Sequence, residues 1–80
     1  MSRELLLYTR EGCGLCEELR AAAQPVAQRH GVTIRSVDID ADPELRRCYG
    51  WDIPVLTLDG REICRHRLDR AALEEALTNE

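Results

Sequence analysis

Apolar residues run along this chain in two rhythms, and the switches between them mark out its elements. Glu4-Leu5-Leu6-Leu7-Tyr8-Thr9 contains an unbroken apolar run of strand length, the pattern of a strand covered on both faces and therefore central in its sheet. From Leu15 the apolar positions Leu15, Leu19, Ala22, Ala23 and Val26 recur at intervals of three and four, which lays a stripe along a helix. Pro25 lacks an amide hydrogen and crowds the carbonyl of Ala21, so this helix is expected to bend or end near it, with His30-Gly31 closing it. Val32-Thr33-Ile34-Arg35-Ser36-Val37-Asp38-Ile39 is rich in β-branched residues and predicts a second strand, with Val32, Ile34 and Val37 toward the core.

Asp42 followed by Pro43 supplies an N-cap and a first-turn proline for a short helix through Tyr49, with Gly50 at its end. Val55 with Thr57, and Leu56 with Leu58, alternate up to Asp59-Gly60, and Arg61 to His66 form the next strand. Asp-Gly between such runs is a strong signal of a tight hairpin. The last helix is capped by Asp69, with Leu68 placed to staple onto Leu73 and with Ala72, Ala76 and Leu77 on its inner face. The order is β-α-β-α-β-β-α: an α/β domain over residues 1–80, with a four-stranded mixed sheet flanked by helices.

Composition narrows the partners. Eighty residues bury only about two-thirds of their unfolded surface, which leaves room for one core. Asp and Glu number 15 against 11 basic residues, every one of them arginine, and no basic stripe is interleaved with aromatics, so nucleic acid is not an expected partner. The missing lysine reads as a base-composition bias of the genome. The run Leu5-Leu6-Leu7-Tyr8 is bounded by charge and too short for a secretory signal or a membrane span. A soluble, cytoplasmic monomer is expected.

Candidate chemistry sits at Cys13 and Cys16, a C-x-x-C pair placed where the first strand turns into the first helix. Three readings apply. In the first, unpaired backbone N–H groups and the helix dipole stabilise a Cys13 thiolate, which attacks a disulfide, and Cys16 then resolves the mixed disulfide. Gly12 and Gly14 keep side chains away from the sulfur. Arg10 favours the thiolate while Glu11 and Glu17 oppose it, which places the Cys13 pKa nearer ~7 than the ~3.5 of the most oxidising members of this chemistry. In the second, the pair is part of a metal or iron–sulfur cluster site, although Cys48, Cys64, His30 and His66 would have to converge from separate elements. In the third, the cysteines are small packing residues of a non-catalytic binding module. No metal ligand set is assigned. A disulfide scaffold is set aside because it needs a secreted context.

Tyr8-Thr9-Arg10-Glu11-Gly12-Cys13-Gly14-Leu15-Cys16, followed by Tyr49-Gly50-Trp51-Asp52-Ile53-Pro54-Val55, resembles the glutaredoxin and thioredoxin family, and the chain is similar to its small bacterial glutaredoxin-like members. The resemblance implies a thioredoxin-like fold and a thiol–disulfide oxidoreductase, with Cys13 as nucleophile and Cys16 resolving. It implies that Pro54 is cis and beside Cys13, leaving the Ile53 backbone free to pair with an extended substrate. Arg10 is the nearest match to a family lysine and able to take a glutathione carboxylate. No bound cofactor is implied; glutathione enters as a co-substrate. The implied partners are protein or small-molecule disulfides, with glutathione or a thioredoxin-type reductase recycling the protein.

The chain also departs from the family. The Gly-Gly turn that holds glutathione is replaced by Cys64-Arg65-His66-Arg67-Leu68-Asp69. The Trp-Cys-Gly-Pro-Cys of thioredoxins is absent, and Leu7 stands where they carry a buried aspartate. Trp51 is expected either to shield the site or to anchor in the core. Asp38-Ile39-Asp40-Ala41-Asp42 opens like a calcium loop, but Pro43 and Tyr49 occupy the positions that need glycine and glutamate; a strand end and a helix cap explain it. Cys48 and Cys64 are expected to pack, and Arg65, Arg67 and Arg70 to form a solvated face.

Overall fold

A computed structural model describes residues 3–78; the outermost residues of the expected 1–80 domain lie outside the described ones. The elements follow the expected order with one addition: β1 (Leu5–Thr9), α1 (Gly14–Arg29), β2 (Ile34–Asp38), a 3-10 turn (Ile39–Ala41), α2 (Pro43–Tyr49), β3 (Val55–Leu58), β4 (Arg61–Arg65) and α3 (Arg70–Thr78). The sheet order is β2-β1-β3-β4. β1 is central, parallel to β2 and antiparallel to β3, and β4 joins β3 as an antiparallel hairpin. The mixed sheet follows from the connections, since only the two strands joined through α1 run parallel.

Register sorts the side chains onto two faces. Leu5 and Leu7 lie opposite Leu58 and Leu56, and with Ile34 they pack under Leu19, Ala23 and Val26 of α1 and Leu73 and Leu77 of α3. Leu6 and Tyr8 lie opposite Thr57 and Val55 on the other face, where the ring of Tyr8 stacks on Tyr49 of α2 at 4.5 Å. β3 is buried at every position, so its expected alternation is of chemistry and not of exposure; it is a central strand, covered from both sides. Val37 pairs with Tyr8, which sets it on the α2 face, away from the core that holds Val32 and Ile34. Thr57 is 4% exposed and its Oγ1 has no hydrogen-bond partner among the described residues.

Three local signals act as the sequence implies. Asp59 and Gly60 both take positive φ, 50° and 88°, the left-handed pair that a two-residue hairpin of matching twist requires. α1 ends with Gly31 at φ 68°, its N–H donating to the Gln28 carbonyl while that of Val32 donates to Ala27, a Schellman closure. Asp42 Oδ1 accepts from the Glu44 amide and Asp69 Oδ1 from that of Ala72, so both aspartates cap as expected.

Of the two outcomes expected at Pro25, α1 does not end there: it runs on to Arg29, and His30-Gly31 closes it as the sequence implies. Pro25 is exposed, while Val26 and Ala27 beyond it are buried, and that packing holds the last turn despite the missing N–H. In β4 the ladder slips between Leu56 and Thr57: Glu62 faces Thr57 and Cys64 faces Leu56. Ile63 is therefore a bulge residue, and it packs with Cys64 against the core. No helix among the described residues is long and apolar enough to cross a membrane.

Candidate active site

The end of β1 and the start of α1 build the site from backbone outward. The Cys13 amide donates to the Arg10 carbonyl at 3.2 Å, closing a turn in which Gly12 sits at φ 81°, a conformation that disfavours any side chain. Cys13 is then the N-cap of α1, extended at φ −87° and ψ 104°, and its Sγ accepts from the Cys16 amide at 3.1 Å. A sulfur occupies the place a serine or aspartate oxygen usually takes, so one of the orphan donors of the helix is aimed at it. Cys13 and Cys16 are joined by a disulfide with a Cα–Cα separation of 5.2 Å. The two sulfurs are not equivalent: Cys16 is 3% exposed, while Cys13 is half-buried and open to approach. Gly14 has ordinary backbone geometry, and a Cβ there would meet nothing within 4 Å; its contribution is open space beside the pair.

Arg10 lies in the turn that positions Cys13, but its guanidinium points to a partner that the sequence reading did not supply. It donates from Nε and one terminal nitrogen to the two oxygens of Asp40, at 2.9 and 2.8 Å. The hydrogen bond from Arg10 holds the Asp40 carboxyl below its usual range, and Asp40 in turn raises Arg10. Both groups are exposed, so the pair is a geometric lock more than a source of stability. Asp40 belongs to the run that resembles a calcium loop; its fellow members Asp38 and Asp42 are spent on capping amides.

On the other side of β1, Val55 pairs with Tyr8, which brings Ile53-Pro54 level with the Thr9 end where the cysteine turn begins. The Ile53–Pro54 peptide is cis, as the resemblance implies. Pro54 is buried and Ile53 half-buried, and the Pro54 carbonyl accepts from the His66 amide at 2.7 Å. Asp52 is braced from two directions: its amide donates to the Tyr49 carbonyl at 2.9 Å, and its carboxylate meets Arg65 at 3.0 Å and His66 Nε2 at 3.5 Å. Arg65 also grips Glu62 with two nitrogens. Where the family carries Gly-Gly, His66 takes the left-handed backbone itself, at φ 68°.

Two expectations are overturned. Trp51 is no core anchor: it is 95% exposed, because its turn runs outside the sheet between the end of α2 at Tyr49 and the start of β3 at Val55. Cys48 is exposed on α2, whereas Cys64 is buried as expected, and burial pushes the Cys64 thiol up. Among the described residues no group of three or more His, Cys, Asp or Glu side chains converges to hold a metal. The Asp52 brace had no signal in the sequence beyond the proximity of Asp52 to Pro54.

Comparison with known proteins places this geometry. The glutaredoxin-like domain family (DUF836) matches residues 4–78. An uncharacterized protein of Mycobacterium tuberculosis is 33% identical over 85% of this chain and 81% of its own. A glutaredoxin-like protein of Dictyostelium discoideum is 31% identical over 90% of this chain and 72% of its own. Among solved structures, a Nitrosomonas europaea protein determined by solution NMR superposes with a TM-score of 0.87 at 31% identity, covering 98% of this chain and 94% of that one. Thioredoxin 1 of Thermosipho africanus superposes at 0.58 with 18% identity, covering 92% and 85% of the two chains, a likeness of fold alone. The arrangement is a thioredoxin-like α/β fold.

Proposed function

This chain belongs to the glutaredoxin-like domain family, and from that membership and its helix-capping cysteine we propose that it is a thiol–disulfide oxidoreductase working through Cys13 and Cys16. The observation that carries the reading is the Cys16 amide donating to Cys13 Sγ, because the same N–H holds negative charge on that sulfur once the pair is reduced. The Cys13 thiolate attacks one sulfur of a client disulfide, forming a mixed disulfide and releasing the client's other sulfur as thiolate. Cys16 then attacks Cys13 Sγ, closes the internal disulfide and releases the second client thiol. Two electrons pass from protein to client. The burial difference supports these roles: the accessible sulfur meets the client, and the shielded one needs to reach only its neighbour.

Ile53 lies before the cis-proline with its backbone at the rim of the site, and in this reading it pairs with an extended client segment. Glutathione is a candidate co-substrate, with its carboxylate on Arg10 after that side chain releases Asp40. Recycling by glutathione with its reductase, or by a thioredoxin-type reductase, completes the cycle. The test is a redox titration of the pair joined to a coupled turnover assay. The expected potential falls between about −270 and −120 mV, with turnover sustained by one of the two recycling systems. A protein that neither system recycles, and that in reduced form transfers no electrons to any disulfide, has no such activity.

A further inference from the structure

Among the described residues two large apolar side chains are exposed, Leu15 at 47% and Trp51 at 95%, while the others are buried or half-buried. Both stand on the segments that frame Cys13. Leu15 is one of the two residues between the cysteines, and Trp51 heads the turn that leads into the cis Ile53–Pro54 peptide. A tryptophan this exposed contributes nothing to the core, and its turn is held still by the Asp52 contacts to the Tyr49 backbone, Arg65 and His66. The ring is presented on a braced support, which lowers the ordering cost of using it for contact.

Charge at the same rim has a sign. Arg10 is occupied by Asp40, while Glu11 and Glu17, on either side of Cys13, are exposed and enter no ion pair among the described residues. The chain as a whole carries a formal charge of −4. An anionic tripeptide such as glutathione therefore approaches carboxylates, whereas a cationic segment is attracted.

We propose that Leu15 and Trp51 form an apolar grip beside the reacting sulfur, which selects disulfides of extended polypeptide segments that carry an apolar residue next to the cysteine and a basic residue beyond it, in preference to glutathione disulfide. This rests on the thiol-exchange reading above. The chemistry is unchanged: Cys13 joins the client sulfur, Cys16 displaces it, and the client gains both electrons. What the grip adds is residence of the client in the mixed-disulfide geometry.

Trp51 is the single tryptophan of the chain, so its fluorescence reports its own surroundings. The experiment uses three synthetic disulfide peptides that differ only beside the cysteine: Phe-Lys, Ser-Lys and Phe-Glu. Reduced wild-type protein is expected to reduce the Phe-Lys peptide about tenfold faster than the Ser-Lys peptide. The loss for Phe-Glu should be smaller and should fade as salt is raised. Glutathione disulfide should be slower than Phe-Lys. Trp51→Ser should bring the Phe-to-Ser ratio close to one. In Cys16→Ser, the trapped Phe-Lys adduct should blue-shift the tryptophan emission and shield it from acrylamide, and the Ser-Lys adduct should do neither. Equal rates for the Phe and Ser peptides in the wild type, or a ratio that survives Trp51→Ser, overturns the grip while leaving the redox reading intact. Failure of the reduced protein to reduce any of these disulfides removes both.

Discussion

Cys13 and Cys16 are joined at the mouth of α1, while Cys48 and Cys64 stay free, one on the surface of α2 and the other on the buried face of β4. Exposure does not separate the two groups, since Cys48 is more exposed than Cys13. Helix polarity does. Cys13 caps the N-terminus of a 16-residue helix and receives an amide, whereas Cys48 is the penultimate residue of α2, at the end of a helix where carbonyls and not amides are left without intrahelical partners. Cys64 fails for a different reason, because burial penalises its charged form. What sets Cys13 apart from the other two is the backbone donor aimed at its sulfur.

The most severe way to break the comparison is to remove a member of the bonded pair. Cys13→Ser should abolish disulfide reduction to the buffer background. Cys16→Ser should instead stall after the first step, seen as one covalent client adduct by intact mass. A partitioned pattern is the point: if both variants behave alike, the assignment of attacking and resolving roles is wrong. Labelling sharpens the contrast within the free pair. In reduced Cys13→Ser protein at neutral pH, iodoacetamide should modify Cys48 in preference to Cys64, and Cys64 only after unfolding. The Cys64 thiol is raised in the folded state, so its neutral form supports the fold below the ordinary thiol range of about 8.5 and that support drains away as pH rises above it. Thermal melts taken between neutral and alkaline pH check the sign.

A smaller effect is expected at the rim. Asp40→Asn frees the Arg10 guanidinium and should raise kcat/KM for glutathione disulfide a few-fold, mostly through KM, if Arg10 takes the carboxylate. The Asp40 carboxyl is held low by Arg10, so the wild-type lock should persist into mild acid and open only as pH falls below about 4. Smallest of all is a change that spares every cysteine. Thr57→Val removes the buried hydroxyl that has no partner and should raise stability by about 1 kcal/mol, read by denaturant unfolding, with the redox potential of the pair unmoved.

Much of this molecule was legible because its decisive signals are local. The unbroken run at Leu5–Leu7 told of a strand with neighbours on both sides. Asp59-Gly60, Gly31, Asp42-Pro43 and Asp69 each fix a backbone turn through their own stereochemistry, and Cys13 was placed once the strand and helix around it were placed. What escaped depends on contacts between distant segments. Pro25 does not end α1, because the buried residues beyond it outweigh its own preference. Trp51 is apolar enough for a core, and only the path of its turn keeps it out. Arg10 offered a binding role, but no local rule joins it to Asp40 across the ends of β1 and β2.

The slip in β4 had no sequence signal at all, yet its reach is long. Side chains alternate along a strand, so the extra residue at Ile63 inverts the parity of everything after it. With Val55 as its partner, Arg65 emerges beside Glu62 and Asp52; in an unslipped ladder the same guanidinium would aim into the leucines under α1. Shortening this outer strand by one residue would therefore be felt across the sheet, as a tryptophan turn that has lost its clasp.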